Sequence, residues 1–263
     1  LPMGVYDIIV FNRSFNDFSN IAFRGNSYET LEAYARKVET RVDTKTRVET
    51  RTIISSPDEL AAATLEGFTV TEDMLGNYSQ TTYGRTAPSR SSEETPDGLY
   101  HLHFVPKKLT REVSAVLHIE GLNNIRSATC RLGGVAESIF LATGKTSANT
   151  VTQEFTPSNP EFSPGSPFNG TLSCEFEIFG LNVIDNNNLH LDALLVDGKT
   201  EFEGDCTNVK ITENDDGTGS ITLILEASTE KVPDVKPEGG AGSGFDVDVD
   251  GWGNEINTDI PIN

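Results

Sequence analysis

Between Thr110 and Gly144 apolar and polar positions alternate. Val113, Ala115, Leu117 and Ile119 are interleaved with Ser114, Val116, His118 and Glu120. A two-residue period places one apolar row on one face of a strand. Gly121-Leu-Asn-Asn124 turns the chain. Ala128, Cys130 and Leu132 form a second alternating run, which Gly133-Gly134 interrupts, and Ser138 to Ala142 gives a third, closed by Thr143-Gly144. The joining turns are too short for crossover helices, so the spacing predicts an antiparallel meander. The residues on it are those of a wall, with no phosphate loop and no nucleophile beside a base.

Upstream the pattern is more mixed. Val5 to Phe11 is a nearly continuous apolar strand, and Asn20 to Arg24 reads as a second, shorter one. Leu31, Tyr34, Ala35 and Val38 recur at helical spacing and predict an amphipathic helix over 28–38. Arg36 to Arg51 alternates charge with Thr and Val, as in a long exposed strand or hairpin. Ser56-Pro57-Asp58-Glu59 has the residues of a capping box with Pro at the first helical position, predicting a helix from Pro57 to Leu65, stopped at Gly67. Phe68 to Thr71 resumes strand character, and 77–98, poor in aliphatics, reads as a surface loop. Leu99 to Val105 alternates again, with His101 and His103 on one face. Pro106-Lys-Lys108 marks a joint between a domain over 1–108 and another over 109–263. The chain opens directly on a strand, which predicts that further residues, a targeting segment or earlier strands, lie upstream of Leu1.

Downstream of the meander, Thr150 to Phe155 is a strand and 156–171 is a Pro/Ser/Gly/Asn loop that should not enter a sheet. Leu172, Cys174, Phe176 and Ile178 alternate inward. Leu189 to Val196 and Thr200 to Glu203 flank the hairpin signal Asp197-Gly198, and a last hairpin joins Val209–Thr212 to Ser220–Glu226. Seven or eight short strands with such turns predict a β-sandwich. Residues 231–243 read as a flexible Pro/Gly linker. Beyond it, over 244–263, Phe245, Val247 and Val249 alternate with Asp246, Asp248 and Asp250, and Trp252 follows. A strand beyond a linker can cover an edge of its own sandwich or that of another molecule.

Charge then narrows the partners. The 263 residues carry a formal net charge of -20. Up to Arg111 there are 13 basic and 15 acidic residues; from Glu112 onward there are 7 and 25. Such a C-terminal half repels phosphate backbones and anionic lipid, so nucleic acid is excluded as a partner. The basic run Arg36, Lys37, Arg41, Lys45, Arg47 and Arg51 is interleaved with Glu39, Asp43 and Glu49, which makes it a solvated two-signed face. No apolar run approaches the roughly 20 residues that span a bilayer.

Candidate chemistry is sparse. Cys130, Cys174 and Cys206 have no metal-ligand spacing and read as small buried hydrophobes, with one disulfide left open. His101 and His103 have no partner ligand in sequence and read as an exposed face. His118 and His190 stand beside no nucleophile motif. The triplets at Asn12, Asn77 and Asn169 fit a glycan acceptor and carry little weight. Asp246-x-Asp248-x-Asp250-Gly251 matches the front half of a calcium loop, but Asn257 stands where a bidentate Glu is wanted. The acidic face of a strand explains the same spacing better, and calcium is the alternative. No other cofactor is expected.

Several of these segments resemble the fimbrillin-like lipoproteins of Bacteroidales: the opening Leu1-Pro-Met-Gly-Val-Tyr-Asp-Ile-Ile-Val-Phe-Asn12, Pro106-Lys-Lys-Leu-Thr110, Ile119-Glu-Gly-Leu-Asn123, Phe179-Gly-Leu181 and the end from Trp252 to Ile262. The resemblance implies a mainly β chain of two tandem transthyretin-like antiparallel β-sandwich domains, the first carrying the short helices. It implies a cell-surface lipoprotein of the outer membrane, held by a lipid on an upstream Cys, that serves as a fimbrial anchor or accessory subunit. Its partners would be fimbrial subunits or another cell-surface protein, joined by strand complementation through Phe245, Val247, Val249 and Trp252. No Arg is placed for the cleavage that polymerising subunits of that group undergo, which favours an anchor. The rival expectation is a carbohydrate-binding surface module, which would want a cluster of exposed aromatics; the chain has a single Trp.

Overall fold

The computed structural model describes residues 1–42, 50–75, 92–94, 100–182, 187–215 and 221–237. The chain is mainly β, as its alternation predicts. In chain order the strands are β1 (Gly4–Phe11), β2 (Ile21–Arg24), β3 (Glu32–Ala35), β4 (Lys37–Val42), β5 (Thr50–Ile54), β6 (Ala61–Val70), β7 (Ser92–Glu94), β8 (Tyr100–Leu102) and β9 (Lys107–Lys108). They continue with β10 (Arg111–Ile119), β11 (Ile125–Ala136), β12 (Ser138–Phe140), β13 (Thr150–Phe155), β14 (Asn159–Phe162), β15 (Gly170–Ile178), β16 (Leu189–Leu195), β17 (Glu201–Asp205), β18 (Thr207–Asp215) and β19 (Ile221–Ser228). Among the described residues the helical pieces are short: Phe15–Asp17, Glu72–Leu75 and Leu122–Asn124.

Two large sheets form the body. One has the order β14-β15-β10-β19-β18 and the other β17-β16-β11-β13-β5-β4. Their apolar rows are buried together: Val113, Ala115 and Leu117 of β10 and Leu223 and Leu225 of β19 belong to one core with Cys130 and Leu132 of β11 and Leu189 and Leu191 of β16. Phe155 of β13 stacks on Phe176 of β15 with ring centroids 4.3 Å apart, joining the layers directly. Burying one such side chain is worth roughly 1.5–3 kcal/mol, so these rows dominate stability.

The meander expected over 110–144 is not formed. β10 pairs antiparallel with β15 and parallel with β19, while β11 pairs with β16 and β13 in the other sheet. The turn at Gly121–Asn124 therefore crosses between layers. Gly121 makes this possible with φ +89, and a Cβ there would lie 2.8 Å from the Val232 carbonyl oxygen. Asn124, nearly buried, donates to Asp234 Oδ1 at 3.0 Å, and Val232 N donates to Glu120 O. Val232 is fully buried. The stretch that reads as a linker thus begins docked on this turn.

Neither helix expected upstream forms: the span 57–65 is irregular up to Leu60 and then enters β6. Over 28–38 the chain forms β3 between β2 and β12, with Ala33 and Ala35 buried and Val38 exposed. Ser56 does not cap a helix. Its Oγ accepts from Glu177 N at 2.9 Å and donates to Glu177 O at 3.1 Å, fastening the segment to β15. The loop over 156–171 contributes β14, an outer strand in which Pro160 is tolerated because one side has no partner. The hairpins β4–β5, β16–β17 and β18–β19 follow the sequence reading.

Pairing runs across the joint expected at Lys108–Leu109. β5 lies parallel to β13 through Ile53↔Thr152 and Ile54↔Gln153, and β12 pairs with β3. At the second crossing Glu32, nearly buried, takes both Arg24 Nε at 2.7 Å and Nη2 at 2.9 Å, and accepts from the Ser138 hydroxyl. Arg24 also lies over the Tyr34 ring at 5.1 Å. The Arg24 hydrogen bond holds the Glu32 carboxyl below its ordinary range against the opposing effect of burial. A depressed carboxylate stabilises the fold above its unfolded pKa of about 4.3, and that contribution is lost as pH falls through the lower folded value. Glu32→Gln should cost about 1–3 kcal/mol in chemical denaturation at pH 7, the low end reflecting a half-exposed Arg24. The difference from wild type should shrink below about pH 4; a difference unchanged with pH would contradict the ion-pair account.

Candidate contact edges and a polar sheet face

Each open sheet has two outer strands whose outward N–H and C=O groups are unpaired within the sheet. Several are guarded. β14 is only four residues long and contains Pro160. β17 presents Glu201, Glu203 and Asp205, all exposed. β18 carries Lys210, Glu213 and Asp215 and is kinked by an irregularity between Thr207 and Lys210, next to Asn208 at φ 53.

β1 is guarded less than these three. It is the outer strand of the sheet β1-β6-β9, eight residues long, and among the described residues it pairs only with β6. Not one of its residues is buried, and Val5 is 70% exposed. Leu1 and Met3, at two-residue spacing before Val5, are exposed as well. Its one charge, Asp7, turns toward the neighbouring strand, where Oδ1 accepts Gly67 N at 2.8 Å in a register irregularity. The far end is held firmly. Phe11 stacks on Phe23 at 5.4 Å, and Phe15 and Phe18 pack against Phe23 edge-on at 4.6 and 5.4 Å. Asn12 donates to Glu59 O and accepts from Ala61 N, both at 3.1 Å. The amide of that glycan-acceptor triplet is therefore spent on strapping β1 to β6. Asn169 Oδ1 accepts from Gly121 N at 3.1 Å.

The sequence-predicted site residues fall as follows. Phe245, Val247, Val249, Trp252 and the calcium candidates Asp246, Asp248 and Asp250 lie outside the described residues, as do Tyr78 and Tyr83 of the long loop. His101 and His103 are both exposed. Cys130 is fully buried, Cys174 and Cys206 half-buried, and all three are free thiols.

A polar arrangement missed by sequence reading lies on the outward face of the six-stranded sheet. Cross-strand pairing sets Glu154, Arg131, His190 and Asp205 in one row, and Thr129, Asp192 and Glu203 in the next. His190 Nδ1 lies 2.9 Å from Asp205 Oδ1, and Nε2 lies 3.2 Å from Asp192 Oδ1. Arg131 pairs with Asp192 Oδ2 and with Glu154 Oε2, the latter at 3.2 Å. The signal was present in the chain. The turn around Asp197-Gly198, in which Gly198 N donates to Leu195 O and Leu195 N to Thr200 O, sets the hairpin register and brings His190-x-Asp192 opposite Glu203-x-Asp205.

A family model described as "Domain of unknown function (DUF5119)" matches residues 1–156. No curated protein matches the chain. Among solved structures, a candidate adhesin from Bacteroides ovatus is similar with a TM-score of 0.48 and 15% identity, over 78% of this chain and 66% of that one. One from Bacteroides thetaiotaomicron gives 0.36 and 10%, over 77% and 60%, and a second from Bacteroides ovatus gives 0.31 and 8%, over 78% and 55%. The chain thus spans about 55–66% of the length of these structures. No helix among the described residues is long and apolar enough to cross a membrane.

Burial pushes the Cys130 thiol well up, and pushes Cys174 and Cys206 to about 11. Native protein at pH 8 should therefore react with a thiol reagent on the order of tenfold or more slowly than unfolded protein. Equal rates would contradict the burial of all three.

Proposed function

The chain belongs to the DUF5119 family, and on that premise we propose that it is a non-enzymatic cell-surface contact protein, joined to its partner by β-strand addition. The observation that carries this reading is β1, an eight-residue, largely apolar outer strand with no buried residue, whose one charge, Asp7, is engaged by the Gly67 N–H of β6. A strand of that kind is a template for another chain, since main-chain hydrogen bonds give affinity and alternate side chains set register. The donor would be a segment of the same type as 244–263, in whose sequence Phe245, Val247 and Val249 alternate with Asp246, Asp248 and Asp250 and are followed by Trp252. The finer reading is a fimbrial anchor or accessory subunit, held to the outer membrane through a lipid on residues upstream of Leu1. It rests on the resemblance of the Leu1–Asn12 segment and the Trp252–Ile262 segment to fimbrillin-like lipoproteins.

The test uses a labelled peptide of residues 244–263 and the chain truncated before Gly244. The peptide should bind, and Val5→Lys with Val10→Lys should weaken it about tenfold or more, because charge on an outer strand opposes pairing. Absence of binding, or binding indifferent to the β1 substitutions, would overturn strand addition at this edge.

A further inference from the structure

We propose that His190, Asp192 and Glu203 form a binding site for a divalent transition cation of the zinc class, with Asp205 orienting the imidazole. One ligand atom from each of the three residues lies within 4.8 Å of the other two. Nε2 of His190 and Oδ1 of Asp192 are already 3.2 Å apart. That matches the edge of about 3.3 Å expected for a tetrahedron with metal–ligand bonds near 2.0–2.1 Å. Glu203, opposite Asp192 on the outer strand β17, completes the set by a side-chain rotation, for which its exposure leaves room.

The surroundings of the three ligands carry the inference further than the cluster alone. Metal-bound histidines donate their other ring N–H to a carboxylate, which fixes the tautomer and turns the remaining nitrogen toward the ion. Asp205 Oδ1 sits in that place, 2.9 Å from His190 Nδ1, and leaves Nε2 on the side of Asp192 and Glu203. Asp192 is aimed in the same way: Arg131 holds Oδ2, so Oδ1 faces the imidazole. Arg131 is the only cation in these two rows, and Glu154 shares it. The carboxylates of Asp192, Glu203 and Asp205 thus carry negative charge beyond what one guanidinium offsets, which favours a cation. A hollow of about 400 Å³ opens beside them, bordered by Thr129, Arg131, Glu154 and Glu201. Coordination positions not filled by protein would point there, toward water or an acidic group of a partner.

The donor set selects the ion. One imidazole nitrogen with two carboxylates suits zinc and its transition-metal neighbours, whereas calcium and magnesium take oxygen alone. This site is distinct from the calcium pattern at Asp246, Asp248 and Asp250, and it stands or falls independently of strand addition at β1.

The experiment is calorimetric titration of the full chain with zinc chloride, alongside His190→Ala, His190→Gln, Glu203→Gln, Asp205→Asn and, as a control on another strand, His118→Ala. Wild type and His118→Ala should share one site that both His190 variants lose and that Glu203→Gln weakens. Asp205→Asn should weaken it about 10–100-fold, as expected when a metal-bound histidine loses its orienting carboxylate. Cobalt(II) should give visible absorption bands with wild type and none with either His190 variant. Zinc affinity unchanged in both His190 variants, or no binding up to millimolar zinc, would overturn the proposal. A loss in His118→Ala equal to that in His190→Ala would do so as well. Melting curves recorded without metal confirm that the variants remain folded.

Discussion

A strand at the rim of an open sheet satisfies its main chain on one side only, and in this molecule that constraint bears most heavily on β1. The outer strands β14, β17 and β18 answer it by shortness, proline, charge or a kink. β1 has no proline, and its own irregularity between Tyr6 and Ile8 and its one charge, Asp7, meet at the Gly67 N–H of β6; its other exposed side chains include apolar ones that water hydrates poorly. Its geometry is nevertheless fixed, by the Phe11, Phe15, Phe18 and Phe23 nest and by the Asn12 strap to β6. An edge that is open and rigid has less ordering entropy to lose on pairing than a loose one, which suits it to contact.

Ile9 and Phe11 tie β1 to the core of the body. Alternate residues of β10, β15 and β19 are packed between two sheets with those of β11, β13 and β16, and the Phe155–Phe176 stack joins the layers. Outward positions are thereby released from packing and can carry chemistry. The His190–Asp192–Glu203 group lies on such a released face, at a register dictated by the hairpin turn rather than by the core. Contact edge and polar face are in this sense by-products of the same two-residue period.

That period was legible in the sequence, and partnership was not. Val113, Ala115, Leu117 and Ile119 share a face as their spacing requires, yet β10 pairs with strands over fifty residues away and not with β11, its neighbour in the chain. Alternation fixes which side of a strand is buried and leaves open which strand lies beside it. At 28–38 helical spacing was accidental, because Ala33 and Ala35 are buried by pairing with β2 and β12, partners that a local window cannot contain. Ser56 looked like a cap until its hydroxyl found Glu177. The His190–Asp192–Glu203 group was within reach, since the turn around Asp197-Gly198 sets the register that joins its halves; each half alone looked like solvated charge. The apolar character of β1 was plain from the chain, while its place at the rim depended on the pairing of β6.

β1 offers an unpaired edge, and amide hydrogen exchange on the full chain, kept monomeric by dilution, measures this directly. The outward amides of Gly4–Phe11 should exchange at rates near those of exposed loops, while β10, paired on both sides, exchanges only through opening of the body. Protection of β1 equal to that of β10 in the monomer would mean that the edge is already covered, and would contradict the account.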